Sequence, residues 1–238
     1  MRRILHLWKG EIYRLFKYNI IVFGIIVSLI WVLILALSDV NTAKMLAPAL
    51  VLMDGGLMSI ILLGSQYFLE RQEGSMHAVM VSPAKLSEVL IAKVGSALVT
   101  GLISLVIVVG GVLIFHGNVI QIIPMIFYMI LVILAHTALG FLLALYSRDF
   151  LQMLVRYMGI ILLFMSPYLL FPLGVIPQSL DFLSYLSPSY AGQLLFSSTV
   201  SDVETWRIIF CAVYLAVIPA LLYPFVVYKV FVKKALEG

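Results

Sequence analysis

Long apolar stretches separated by short polar breaks set the pattern of this chain. Six runs of roughly 20 apolar residues, the length that spans a bilayer core, occur at about Ile20–Leu37, Leu46–Leu69, Val94–Phe115, Val119–Tyr146, Leu154–Leu173 and Trp206–Tyr228. The runs are continuously apolar rather than alternating, which predicts helices and not barrel strands. Before them, residues 1–18 place Ile4, Leu5, Leu7, Trp8, Ile12, Leu15 and Phe16 at roughly helical spacing among Arg2, Arg3, Lys9, Arg14 and Lys17. That pattern predicts an amphipathic helix lying along the membrane interface. The basic region is long and the first run is span-length, so it reads as a retained helix rather than a cleaved leader.

Between the last two runs, residues 174–203 are too apolar for a loose loop, and Pro177 and Pro188 divide them into two short helical pieces. These read as a re-entrant or outer-leaflet segment packed against the other helices. The third run repeats Ala92, Ser96, Thr100 and Ser104 at four-residue spacing, a small-residue face that lets a neighbouring helix come close. The expected architecture is therefore an all-α membrane protein of six spans, organised as a single domain over 1–238.

Composition agrees with this reading. The 238 residues are 63% hydrophobic and 11% charged, against about 25% charged in a typical soluble domain. Of the 15 Lys and Arg, all but Lys44 and Arg207 fall on one side when the N-terminus is placed in the cytoplasm. This positive-inside bias puts both termini inside a multi-pass cell-membrane protein. It also accounts for the net charge of +4 with no nucleic-acid partner. Cys211 stands alone, so no intrachain disulfide can form.

One stretch does not fit a plain inter-helix turn. After the second run come Glu70, Arg71, Gln72 and Glu73, then Gly74 and Ser75, then MHAVMV, then Ser82 and Pro83. Gly74 suits a left-handed helix C-terminus, and Ser75 can cap a new short helix over Met76 to Val81. Ser82 as N-cap with Pro83 at the first helical position would then open the third run. On such a helix Met76, Val79 and Met80 form one apolar face, suited to a protein contact in the cytosol.

The 70–83 element resembles that of the permeases of type-2 ABC transporters, which carry an acidic-Arg-Glu-x-Gly-Thr segment after the second span, then a short helix and a Ser-Pro pair. Gln72 stands where the family more often has Glu, with Glu73 one position later, and Ser75 replaces Thr. The resemblance is most specific over about 25 residues, Phe68 to Lys93. It implies a coupling helix that docks on an ATPase subunit through Glu70, Arg71, Glu73, Gly74, Ser75, Met76, His77, Val79, Met80, Ser82 and Pro83. The N-terminal helix resembles the family's connecting helix, and residues 174–203 its outer re-entrant element. Six spans are half of the family's transmembrane unit, which implies a second permease copy or a sister permease and two P-loop ATPase subunits. The implied cargo is of the drug, peptide, lipid or polysaccharide class, moved out of the cytoplasm.

The chain has no G-x-x-x-x-G-K-[ST] phosphate loop, so no catalytic residues and no cofactor are assigned to it. ATP and Mg would be bound by the partner ATPase. His6, His77, His116 and His136 are scattered and suggest no metal site. Asp54, in LMDGGLMS, is the acid inside the apolar runs; a mid-span carboxylate costs about 2.5–3.5 kcal/mol on insertion scales. Asp54, Ser59 and His136 are the candidate substrate-pathway residues, with Asp54 open to a proton-carrier or a packing role. Two other functions compete: a proton-coupled secondary transporter using Asp54, and a non-transporting membrane subunit that docks a cytosolic partner.

Overall fold

A computed structural model describes residues 2–74, 84–170, 174–175, 182 and 184–237, with the side chains of 167–169 and 235–237 excepted. All regular structure among them is helical. Helix α1 (Arg2–Lys17) turns into α2 (Ile20–Ala36) through a bend of 65°. Asn19 makes the bend, with φ of 56°, a left-handed conformation that Asn adopts more readily than most residues.

Asp39 then caps α3 (Val40–Val51), accepting from the amides of Asn41 and Thr42 at 2.9 and 3.1 Å. The helix therefore starts six residues before the apolar run that marks it in the sequence. A π-helical turn, Leu52–Leu57, joins α3 to α4 (Met58–Gln72). Helix α4 ends as the sequence predicts, with Gly74 at φ of 67°.

Helix α5 (Leu86–His116) begins three residues after Pro83, not at it. The cause is local: the Glu88 carboxylate accepts the Lys85 amide at 2.9 Å and satisfies a donor that the helix start leaves free. Helix α6 (Ile122–Tyr146) and α7 (Phe150–Leu170) follow. Ser187 caps α8 (Pro188–Ser197), accepting from the Tyr190 amide at 3.2 Å. Helix α9 (Thr205–Leu222) runs through a π turn at Tyr223–Val227 into α10 (Tyr228–Glu237). Proline at 224 withdraws an amide donor at that point.

Among the described residues four helical stretches are long and apolar enough to cross a membrane: Val40–Gln72, Leu86–His116, Ile122–Tyr146 and Thr205–Lys234. The bent pair α1 and α2 makes a fifth when counted as one, and Phe150–Ser166 is a shorter apolar helix. The six expected runs thus reduce to four or five by this measure. Helix α2, with 17 residues, reaches only about 25 Å at 1.5 Å per residue, short of the ~30 Å hydrocarbon core.

The core lies where α5 and α6 meet the π turn and α8. Backbones approach most closely at glycines: a Cβ on Gly101 would sit 2.4 Å from Ile133 Cδ1 and 3.2 Å from the Gly55 carbonyl. One on Gly140 would sit 3.1 Å from the Cα of Ile60. Helix α8 buries Ser189, Ala191, Gly192, Leu195 and Phe196 among its neighbours, and Ser187 donates to the Phe164 carbonyl at 2.6 Å. Leu29, Leu33, Val155, Leu162, Val213 and Phe225 point outward, as expected of surfaces solvated by lipid.

Candidate functional site

One end of the bundle gathers the charges. Helix α1 carries a single acidic residue, Glu11, which lies on its apolar stripe with Ile4, Trp8 and Leu15, at i−7, i−3 and i+4. Glu11 is buried there, and it meets Lys93 of α5, only 1% exposed. The Lys93 ammonium donates to both Glu11 oxygens at 3.2 and 3.3 Å and to Oε1 of Glu70, near the end of α4. Arg14 closes the group: Nη1 lies 2.7 Å from Glu70 Oε1 and 3.5 Å from Glu11 Oε1. Two anions and two cations from three helices make a neutral cluster, the condition under which buried charges persist. Burial pushes the Glu11 carboxyl above the ordinary range, Lys93 pulls it back, and Glu70 pushes it further up.

Neighbouring contacts extend the clasp. Trp8 packs on Gly95, where a Cβ would come within 3.0 Å of the indole. Glu73 accepts from the Tyr18 hydroxyl and lies 3.8 Å from Lys17 Nζ. Arg71 donates to the Arg148 carbonyl at 3.2 Å, tying the end of α4 to the turn before α7. Helix α1 thus fastens the end of α4 through Glu70, with Glu73 held by Lys17 and Tyr18 beyond it, and the second turn of α5 through Lys93, the two helices that flank 75–83.

Of the sequence-predicted contact residues, Glu70, Arg71, Glu73 and Gly74 fall at this end. Glu70 is buried in the cluster, whereas Arg71, Glu73 and Gly74 are exposed. Ser75, Met76, His77, Val79, Met80, Ser82 and Pro83 lie outside the described residues. Glu11 and Lys93 were absent from the predicted site. Their signal is an acid and a base each placed on an otherwise apolar or small-residue stripe.

A second polar site lies within the bundle. Asp54, on the π turn and 5% exposed, accepts at Oδ2 from Ser28 of α2 and Ser104 of α5, each at 2.5 Å. Ser104 therefore does more than thin a packing face. Asp54 and Ser59 line one pocket with Thr100 and Ser104, closed by Ile20, Ile25 and Leu62. It leaves about 20 Å³, room for about one water. Ser59 itself donates to the Gly56 carbonyl at 2.5 Å.

His136 is not among that pocket's lining. It is fully buried on α6; Nδ1–H donates to the Val132 carbonyl at 2.8 Å, which leaves Nε2 to accept from Ser189 at 3.1 Å. Both ring nitrogens are used. Among the described residues no group of three or more His, Cys, Asp or Glu could hold a metal ion.

A bundle of membrane-length apolar helices with a buried charge cluster at one end narrows the possibilities, and comparison with known families decides among them. The profile of the ABC-2 family transporter protein matches residues 35–228, most of the chain. The chain belongs to the ABC-2 family of transporter proteins. No curated protein matches it in sequence. As a type-2 ABC permease it is a transport subunit and not itself an ATPase, and membership implies association with ABC ATPase subunits in a membrane. The match opens within α2 and closes at the start of α10, so α1 and its half of the charge cluster lie outside it.

Proposed function

We propose that this ABC-2 permease is the membrane subunit of an ATP-driven exporter, with residues 70–83 as the element that takes up ATPase motion. The carrying observation is the clasp. The buried Glu11–Arg14–Glu70–Lys93 cluster ties α4 and α5, the two helices that flank that segment, to α1, so a displacement applied there reaches α1, α4 and α5 together. In this reading the chain crosses the cell membrane six times with both termini in the cytoplasm. Helix α1 lies in the interface, and residues 174–203 form the outer re-entrant element. Two copies, or this chain with a sister permease, pair with two P-loop ATPases that bind ATP and Mg, while this chain binds no cofactor.

The cargo is of the drug, peptide, lipid or polysaccharide class, and Asp54, Ser59 and His136 belong to its pathway or to the packing beside it. Proton-coupled transport through Asp54 is the weaker reading, because Asp54 and His136, the two titratable groups it would use, do not share a pocket. The test is Met80→Asp, placed on the apolar face that the sequence assigns to the segment. It is expected to abolish ATPase co-purification and transport while the unfolding midpoint holds. Retained ATPase binding and transport would remove the assignment of 70–83.

A further inference from the structure

The outward side of α1 has a composition that the clasp alone does not explain. Turning Glu11 inward onto Lys93 leaves the exposed side of the helix with cationic charge only: Arg2, Arg3, Lys9 and Lys17. Lys17 is engaged with Glu73. At 100° per residue, Leu5, Ile12 and Phe16 fall on one flank of the helix, with Lys9 and Arg2, seven residues apart, along its edge. Leu5 and Phe16 are more than half exposed, and they share that flank with Ile12 rather than lying scattered around the helix. The same exposed apolar character continues past the bend on α2, at Val22, Phe23 and Ile26. Exposed apolar side chains thus stand on both sides of the bend, on α1 and at the start of α2.

We propose that this flank of α1 is a binding surface for anionic phospholipid headgroups. Leu5, Ile12 and Phe16 enter the leaflet beside the first acyl carbons, and Arg2 and Lys9 reach the lipid phosphates from its edge. An anionic lipid fits better than a zwitterionic one because the edge of this flank carries the cations Arg2 and Lys9 and the exposed side of α1 holds no acid of its own. An acidic protein partner fits less well, since the next turns of the chain, at the start of the apolar helix α2, also expose Val22, Phe23 and Ile26. This reading concerns α1 alone and stands whether or not 70–83 docks an ATPase.

The test titrates the detergent-purified full chain with phosphatidylglycerol or phosphatidylcholine and follows the thermal unfolding midpoint. Phosphatidylglycerol is expected to raise the midpoint, phosphatidylcholine to do so far less, and added salt to erase the difference. Each cation near an anionic surface is worth about fivefold in affinity, so Arg2→Gln with Lys9→Gln should weaken the apparent phosphatidylglycerol affinity about thirtyfold. Arg2→Gln alone, near the start of the helix, should weaken it about fivefold and keeps the test open if the double variant does not fold. Lys44→Gln, outside α1, should change nothing. Equal responses to the two lipids, an unaltered response in the Arg2 and Lys9 variants, or an equal response to glycerol phosphate alone would each overturn the assignment.

Discussion

Lys93→Met isolates the clasp from the rest of the fold. Lys93 is 1% exposed, and its ammonium is shared by two carboxylates whose side chains are each 6% exposed. Removing it takes a neutral cluster to a net charge of −1 at a site with little water. Breaking a buried ion pair from one side costs about 3–5 kcal/mol. Arg14 stays 2.7 Å from Glu70 but 3.5 Å from Glu11, so Glu70 keeps a partner and the loss should lie near the low end, about 3 kcal/mol. For a chain of this size that corresponds to about 6–12 °C in the unfolding midpoint, by the scaling of soluble domains.

Adding Glu11→Gln to Lys93→Met removes the stranded charge, leaves the Arg14–Glu70 pair at 2.7 Å and should recover most of the deficit. The pH response has a definite sign. Glu11 has a raised pKa, caused first by burial. Its protonated form is therefore favoured by folding, a contribution present at low pH and lost as pH rises through the raised value. Without Lys93 one of the causes that lower the value is gone, so the deficit of Lys93→Met should narrow on acidification. Thermal unfolding in detergent at two pH values measures all of this. A single variant within about 1 kcal/mol of wild type, or a Lys93→Met, Glu11→Gln double variant no more stable than the single, would refute the reasoning.

Three further outcomes follow from other parts of the fold. Gly74→Val puts a β-branched residue at φ of 67° in open space; it should cost about 1–2 kcal/mol and weaken ATPase co-purification, while Gly74→Asn should be milder in both. Gly140→Ala meets the backbone of Ile60 at 3.1 Å, so it should lower the unfolding free energy by about 1–3 kcal/mol. Asp54→Leu leaves the Ser104 hydroxyl without its acceptor, while Ser28 keeps the Gly24 carbonyl at 3.0 Å, and should cost about 1–3 kcal/mol, whereas Asp54→Asn keeps an acceptor and should melt close to wild type. A transport assay on Asp54→Asn then separates a pathway role from a packing one.

Much of the bundle was legible from apolar run length, because a membrane helix advertises itself over 20 residues at a time. The ends were less legible, since single side chains set them. Asp39 starts α3 ahead of its apolar run, and Glu88 moves the start of α5 past Pro83. Gly74 was readable because a helix terminus that needs positive φ selects glycine. The partners of Asp54 were not readable, because Ser28 and Ser104 come from helices 26 and 50 residues away and nothing in either run fixes which faces meet. Lys93 illustrates the same limit: just before the run that starts at Val94 it counts as one more cytoplasmic cation, and only the packing of α1 against α5 makes it buried.

The central claim is that 70–83 joins this permease to a separate ATPase. It is tested most directly by gentle purification of the tagged chain from its own host, with the co-purifying chains identified and counted. The account predicts a P-loop ATPase in equal number to the permease chains, lost on Met80→Asp. A purified assembly that transports its cargo with no such ATPase, even after crosslinking, would contradict it.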